Sequence, residues 1–334
     1  MLQWVQHDFP LFWSFLPSPA PPFLQQNTKE ALACSDFVTS SISDLLRANA
    51  IMKWHTQPKC VSPLNVVTRS NGKQRLILDL RHVNQFLMVP SFRMDSLDLL
   101  TDLADLDDLM FFLDLASSYH QVDMDPRYYT YLGFKWKGEL YFFRVLPFGL
   151  ASAPWCFTKI IRTISLYLRF RGVQLLNYLD DFLVLVSDSQ STAHRQLVLD
   201  TFKSAGLAIN ESKSHLQFTR LLTHLGFVID LDSGSFEVPL ERWENLQQLI
   251  TVALSRQKVL VHLLSRIAGH LSSMILAIGP IALIKSRQCH SYLQQDSLQF
   301  YVAISDSLRD KLTCWSLLVS YAFSQKDLAF PLYL

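Results

Sequence analysis

The chain has 334 residues, room for two ordinary domains, and its 49% hydrophobic and 18% charged content excludes an intrinsically disordered polypeptide. Lys plus Arg (30) balances Asp plus Glu (29), so net charge neither demands nor forbids a polyanionic partner. Glycine is scarce (10) and forms neither G-x-G-x-x-G nor a Walker P-loop, and the five cysteines and scattered histidines show no disulfide or zinc spacing.

Buried free thiols in a reducing compartment are the expectation for Cys34, Cys60, Cys156, Cys289 and Cys314. The longest uncharged apolar run, Leu271 to Ile284, is too short to span a bilayer. The aromatic, Pro-rich start lacks the basic residue and cleavage pattern of a signal peptide. A soluble intracellular protein, cytoplasmic or nuclear, with no membrane partner is expected.

Residues 1–35 read as an irregular arm, and Asp36 to Trp54 has helical spacing through Ile42, Leu45, Leu46 and Asn49. Leu64 to Leu80 reads as two strands around the turn Ser70-Asn71-Gly72-Lys73. A short helix is expected over Leu97 to Leu106, and Met110 to Met124 reads as a strand that runs into a turn or short helix. Tyr131–Trp136 and Glu139–Val145 form a hairpin about Lys137-Gly138, and Ala153 to Phe170 is a helix. Gln174 to Val186 is strand–turn–strand around Asp180-Asp181, Thr192 to Ala205 is a helix ended by Gly206, and Leu225–Ile229 with Ser235–Val238 closes another hairpin. Beyond Pro239 the pattern is helical, with Leu260, Leu263, Leu264, Ile267, Ala268 and Leu271 on one face and His262, Arg266 and His270 on another. Hairpins mixed with helices indicate the α+β class, with a boundary near residue 239.

Charge is segregated along this order. Between Ile51 and Val89, Lys53, Lys59, Arg69, Lys73, Arg75 and Arg81 face Asp79 alone, whereas Pro90 to Pro126 carries nine aspartates against Arg93. Such zones suit a site that holds cations beside a polyphosphate, and a solvated surface also tolerates them. Acids also stand inside apolar strands: Asp114 in Met110-Phe111-Phe112-Leu113-Asp114-Leu115, and Asp180-Asp181 within Leu175 to Val186. An unpaired buried carboxylate costs several kcal/mol or more, so each needs a cation, a metal or a proton. Strand alternation sends Asp180 and Asp181 to opposite faces, so a tight turn is needed to bring them to one point. Three carboxylates without His or Cys select Mg²⁺ or Mn²⁺, and two such ions roughly 3.5–4 Å apart can clamp an in-line phosphoryl transfer. At this stage polymerase and nuclease both remain open.

The ordered blocks resemble a reverse transcriptase over residues 55–240, and more weakly from 36 to about 290. They are Ser62-Pro63-Leu64, Arg75 to Asn84 (RLILDLRHVN), Phe112-Leu113-Asp114-Leu115, Arg144 to Pro154 (RVLPFGLASAP), Tyr178-Leu179-Asp180-Asp181 and Leu225-Gly226-Phe227. The Leu-Pro-Phe-Gly-Leu form, and the tail Leu263 to Leu271 with Gly279-Pro280, look like gypsy- and DIRS-type retroelements.

The resemblance implies an α+β right-hand fold. Its fingers would span about 50–109 and 125–147, its palm about 110–124 and 148–238, a thumb-like helical region 239–290, and the start of a connection region 291–334. It implies an RNA-directed DNA polymerase using two Mg²⁺ or Mn²⁺ ions, a primed RNA or DNA template and deoxynucleoside triphosphates. Asp114, Asp180 and Asp181 would be catalytic and, with the Leu115 carbonyl, metal-binding. Arg75, with Lys73 or Arg69, would grip the triphosphate, although Lys73 reads equally well as a solvated turn lysine. Tyr119 would exclude a ribose 2′-hydroxyl, or serve as a core tyrosine. Phe148 and Gly149 would line the nucleotide pocket, Lys213 would protonate pyrophosphate (with Lys203 as the other candidate), and Leu225-Gly226 would grip the primer. The stretch after Asp114, Leu-Ala-Ser-Ser-Tyr-His, departs from relatives that carry a second charged residue there. A ribonuclease H-like region is expected in a longer parent polyprotein, of which this chain would be a fragment or a decayed copy. A catalytically inactive nucleic-acid-binding remnant is the alternative.

Overall fold

The structure, a computed structural model, describes residues 18–69, 72–105, 107–279, 282, 287, 289, 300–324 and 330–331, with backbone alone for 318–324 and 330–331. Strand β1 (Phe23–Leu24) and a helix over Lys29–Ala33 come first, so the described part of the stretch expected to be an irregular arm contains a short strand and a short helix. The helix expected over Asp36 to Trp54 ends at Arg47, where Asn49 takes a left-handed φ of 57°. Asn tolerates that conformation, and it releases the chain into strand β2 (Ile51–Trp54). The helical spacing therefore does not carry through to Trp54, because the chain leaves the helix at Asn49.

Strands β3 (Cys60–Val61), β4 (Leu64–Thr68) and β5 (Gln74–Leu78) follow, β4 and β5 forming the expected hairpin with Arg75 opposite Val67. Strand β6 (Asp108–Asp114) comes after a short helical stretch over Leu97–Leu103. The hairpin β7 (Gly133–Trp136) and β8 (Glu139–Phe143) turns on Lys137 and Gly138, both at positive φ, the geometry that matches strand twist. β7 and β8 join β1, β2 and β3 in a five-stranded sheet in the order β1-β3-β7-β8-β2, while β4 and β5 form a two-stranded sheet of their own.

The helix Ala153–Phe170 buries Trp155, Cys156, Phe157, Ile161 and Leu168 and is followed by Gly172 at φ 87°. Strands β9 (Gln174–Tyr178) and β10 (Asp181–Ser187) come next, then a helix over Ser191–Ser204 and β11 (His215–Thr219), giving a second sheet ordered β11-β6-β10-β9. Strands β12 (Leu221–His224), β13 (Phe227–Asp230) and β14 (Ser235–Glu237) form a meander. The sequence pattern predicts a strand beginning at Leu225. Leu225 (φ 46°) and Gly226 (φ 81°) are instead the two turn residues between β12 and β13.

Helices over Leu240–Leu254 and Val261–Ser272 follow, separated by β15 (Lys258–Leu260), which pairs with β16 (Tyr301–Ala303). A helix over Asp306–Ser324 packs on Leu240–Leu254, and β17 (Phe330–Pro331) adds to β14. Much of the segment from Pro280 to Gln299, where the sequence places the passage into a connection region, lies outside the described residues. Among the described residues no helix is long and apolar enough to cross a membrane.

In the second sheet β6, β9 and β10 are buried on both faces, which explains their nearly continuous apolar runs. Phe111 and Leu113 join Phe182, Val184 and Val186 in a core that runs through the Ala153–Phe170 helix to the five-stranded sheet. Met110, Leu176, Leu183 and Leu185 lie in a second core with Leu246, Ile250, Ile267, Leu271 and Trp315 of the C-terminal helices. Asp114 and Asp181 end their strands on this second face, by period-two alternation from Met110 and from Leu183 and Leu185.

Candidate active site

Strands β6 and β10 run antiparallel with Asp181 directly opposite Asp114, and Asp181 also pairs with Tyr178 across a two-residue turn, Leu179-Asp180. That turn is the device the sequence required: it lifts Asp180 out of strand alternation and leaves Asp181 beside Asp114. Leu179 takes φ 56°, a conformation unusual for a branched side chain. Asn177 supports it by donating from Nδ2 to the Leu179 carbonyl at 3.1 Å. The Asp95 carboxylate, itself ion-paired to Arg169, accepts the Asn177 N–H at 3.2 Å and steadies β9.

Asp114 is 5% exposed, and its Oδ1 is buried with no hydrogen-bond partner. The nearest cation is Lys213 Nζ at 3.5 Å from that oxygen, on a side chain that is otherwise largely exposed. Desolvation and then the neighbouring Asp180 and Asp114 charges raise the Asp181 pKa to about 6, opposed by Lys213. Desolvation also raises Asp180, with Asp114 adding to the shift, while Lys213 and a hydrogen bond with Ser118 act against it. The three acids therefore form one electrostatic cluster short of positive charge. Among the described residues no three acidic, His or Cys side chains already close on one point as a preformed cage.

The segment 208–214 holds the strand end that carries Asp114. Asn210 N–H donates to the Asp114 carbonyl at 2.8 Å, Asp114 N–H donates to Ser214 Oγ at 3.0 Å, and Ser214 Oγ donates to the Asn210 carbonyl at 2.8 Å. The same segment delivers Lys213. Leu115 forms a bridge with Ile209, and its N–H donates to the Asp180 carbonyl at 3.0 Å, so it links the strand end to the turn. Gln121 fastens the loop after it, accepting from Ala208 N–H at 2.6 Å and donating to the Ala116 carbonyl.

A second group of the predicted residues forms a chain of rings. The Arg75 guanidinium lies 5.2 Å from the Phe148 centroid, and Phe148 lies 4.9 Å from the buried Tyr119, which in turn meets Phe157 at 5.4 Å. Burial, with the Asp180 charge adding to it, pushes the Tyr119 phenol up to about 12, so this ring touches the carboxylate cluster electrostatically. Gly149 has φ 94°, and a Cβ there would sit 2.9 Å from the Leu78 carbonyl. Only glycine meets both demands without strain. Arg69 and Lys73 stand at the β4–β5 tip, where Arg69 N–H donates to the Lys73 carbonyl at 3.0 Å. Leu225-Gly226 lies apart from both groups. The hairpin it closes reaches β6 through His224, whose ring is 5.2 Å from Phe112.

Asn84, Ser118, Gln121, Asn210 and Ser214 also support the site, and the sequence pattern does not single them out. Asn84 Nδ2 donates to the Gly149 carbonyl at 2.9 Å and its Oδ1 accepts Ala151 N–H at 2.8 Å, a two-point staple on the Phe148-Gly149 loop. Its presence at the end of the Arg75–Asn84 block was the available signal. Lys203, the other candidate for Lys213's place, lies in the last turn of the helix Ser191–Ser204, and none of the ion pairs among the described residues involves it.

A sheet carrying three acids at the end of a central hairpin, with a cationic hairpin and helices around it, defines a right-hand polymerase fold. A profile of the family "Reverse transcriptase (RNA-dependent DNA polymerase)" matches residues 65–239, and the chain belongs to that family. It is 28% identical over 211 residues to the retrovirus-related Pol polyprotein from transposon gypsy of Drosophila melanogaster, covering 60% of this chain and 20% of that polyprotein. The polyprotein from transposon opus of the same organism is 30% identical over 180 residues, covering 51% and 17%. The chain thus spans about a fifth or less of the length of these gypsy-like relatives. Among solved structures, the foamy viral protease-reverse transcriptase in complex with dsDNA superposes with a TM-score of 0.75 at 19% identity, covering 97% of this chain and 63% of that one. The same protein in complex with an RNA/DNA hybrid gives 0.72 at 18%, covering 92% and 39%.

Proposed function

We propose that this chain is the RNA-directed DNA polymerase domain of a retroelement polyprotein, joining deoxynucleotides to a primer 3′-hydroxyl along an RNA or DNA template. One observation carries the reading: Asp181 pairs with Asp114 across β6 and β10, Asp180 stands in the adjoining turn, and a buried Asp114 oxygen lacks a hydrogen-bond partner. An all-oxygen set with excess negative charge fits hard divalent cations, so Asp114, Asp180, Asp181 and the Leu115 carbonyl would hold Mg²⁺ or Mn²⁺. Two such ions, when bound, would stabilise the charge developing on the attacking and leaving oxygens of phosphoryl transfer.

The remaining work falls to this chain's own side chains. Arg75, held against the Phe148 ring, binds the incoming triphosphate together with Lys73 or Arg69 at the hairpin tip. Tyr119 is wedged between Phe148 and Phe157, so it cannot swing away from a ribose 2′-hydroxyl and favours deoxynucleotides by exclusion. Gly149 lets the backbone approach the nucleotide. Lys213, beside Asp114, supplies the proton that leaves with pyrophosphate. Leu225-Gly226 contacts the primer. Fingers at about 50–109 and 125–147, palm at 110–124 and 148–238 and a thumb-like region at 239–290 are the corresponding division. The nucleic-acid partners are supported by the foamy viral structures, which were solved with dsDNA and with an RNA/DNA hybrid. The parent polyprotein would supply a ribonuclease H-like region.

The cluster's metal preference is tested by thermal unfolding with increasing Mn²⁺ or Mg²⁺. The wild-type melting temperature rises with either ion at millimolar concentration and that of Asp114→Asn does not, because binding to the native state alone stabilises it. An equal rise in both proteins would place the ions elsewhere and contradict the proposed ligands.

A further inference from the structure

Arg242 stands in the first turn of the helix Leu240–Leu254 and takes no part in the site described above. Its Nη1 donates to the Gly226 carbonyl at 2.6 Å. Its Nη2 donates to the Ser273 carbonyl at 3.2 Å and to Ser273 Oγ at 2.7 Å, and its guanidinium lies 5.1 Å from the Phe227 ring centroid. Ser273 follows the helix Val261–Ser272, and its Oγ donates to the His270 carbonyl at 2.8 Å. One planar group therefore ties together the β12–β13 turn, the start of one C-terminal helix and the end of the next.

The fit is close on both sides. A Cβ on Gly226 would lie 3.1 Å from Arg242 Nη1, and Gly226 already has φ 81°. The guanidinium is half-buried, and none of the ion pairs among the described residues involves it. Burial lowers the Arg242 pKa, and burial first, then the Arg242 and Arg266 charges, lower that of His270. Withdrawing a cation from water without a counter-ion is costly, and here the return is geometric: fixed hydrogen bonds to carbonyls on separate elements.

We propose that Arg242 is a positioning residue for the primer terminus, locking the Leu225-Gly226 turn to the C-terminal helices so that both grip the duplex as one unit. The proposal rests on the reading of that turn as primer-binding. A guanidinium has two nitrogens that reach separate acceptors, whereas a lysine is a single point charge and serves one side at a time. A bridging role is therefore lost in Arg242→Lys as well as in Arg242→Met, and a role in attracting phosphate survives in Arg242→Lys.

The test measures binding of a fluorescent primer–template to the full chain, together with single-nucleotide addition. Both variants are expected to keep the wild-type circular dichroism spectrum and to bind primer–template about tenfold more weakly. Their KM for the deoxynucleotide is expected to stay near wild type, a split that general loss of structure would not produce. Wild-type affinity in Arg242→Met overturns the proposal, and so does full recovery in Arg242→Lys, which would make charge alone the cause. Gly226→Val strains the turn and separates the two readings. If it binds primer–template normally, the turn is not a primer contact and the proposal falls with it. If it binds weakly while Arg242→Met binds normally, the proposal alone fails.

Discussion

Asp181 enters β10 opposite one carboxylate and next to another, and Lys213 is too exposed to neutralise the group. A fold does not keep such a cluster for stability, since replacing buried charges by apolar groups of similar volume is often neutral or stabilising. The aspartates were legible because each interrupts an apolar run. Ser118, Asn210 and Ser214 were not, because a small polar residue acquires its role only through a partner brought from far along the chain. His224 is another group whose state the sequence hides. Burial against Phe112 lowers its pKa from 6.5 to about 4. The unfolded chain therefore takes up a proton below about pH 6.5 while the native state does not, so stability is lost as the pH falls from 6.5 towards 4. Wild type should lose on the order of 1–2 kcal/mol more than His224→Leu between pH 7 and pH 5 in urea unfolding. Parallel pH dependences in the two proteins would show that His224 titrates normally in the native state.

At the scale of elements, hairpins announced themselves where Gly or Asn stood between alternating residues, as at Lys137-Gly138. Short strands did not. β1 and β3 are two residues each, too short for any period, and β11 is an edge strand with a register shift between His215 and Thr219. The Phe148-Gly149 loop owes its shape to Asn84, which makes both of its hydrogen bonds to loop backbone. Asn84→Ala leaves those two backbone groups without their partner and should cost about 1–3 kcal/mol. Gly149→Ala places a Cβ 2.9 Å from the Leu78 carbonyl at a left-handed φ and should cost a similar amount, about 1–3 kcal/mol. Both variants should also raise the KM for deoxynucleotide, because Phe148 loses its fixed place beneath Arg75. Unchanged stability and KM in both would mean that the loop is held by other contacts.

For the whole molecule, the change of character at residue 239 is plain in the sequence, but it marks a change of secondary structure and not a gap between cores. Met110, Leu176, Leu183 and Leu185 share one apolar cluster with Leu246, Ile250, Ile267 and Leu271. The continuous apolar strands hinted at burial on both faces, while what covers the second face became visible only in three dimensions. A chain ending at Val238 would expose that face, at roughly 1.5–3 kcal/mol for each large side chain uncovered. It should therefore lose its cooperative unfolding transition, and a sharp transition near the full-length melting temperature would show that the first 238 residues fold unaided. Polymerisation at Asp114, Asp180 and Asp181 is read out by primer extension on poly-rA/oligo-dT. Deoxythymidine triphosphate and Mg²⁺ or Mn²⁺ are supplied, with Asp180→Asn run beside wild type. Metal-dependent extension by wild type and none by a folded Asp180→Asn is the expected result. Equal extension by both proteins would contradict the site, and no extension by a wild-type chain that binds the duplex would point to a nucleic-acid-binding remnant.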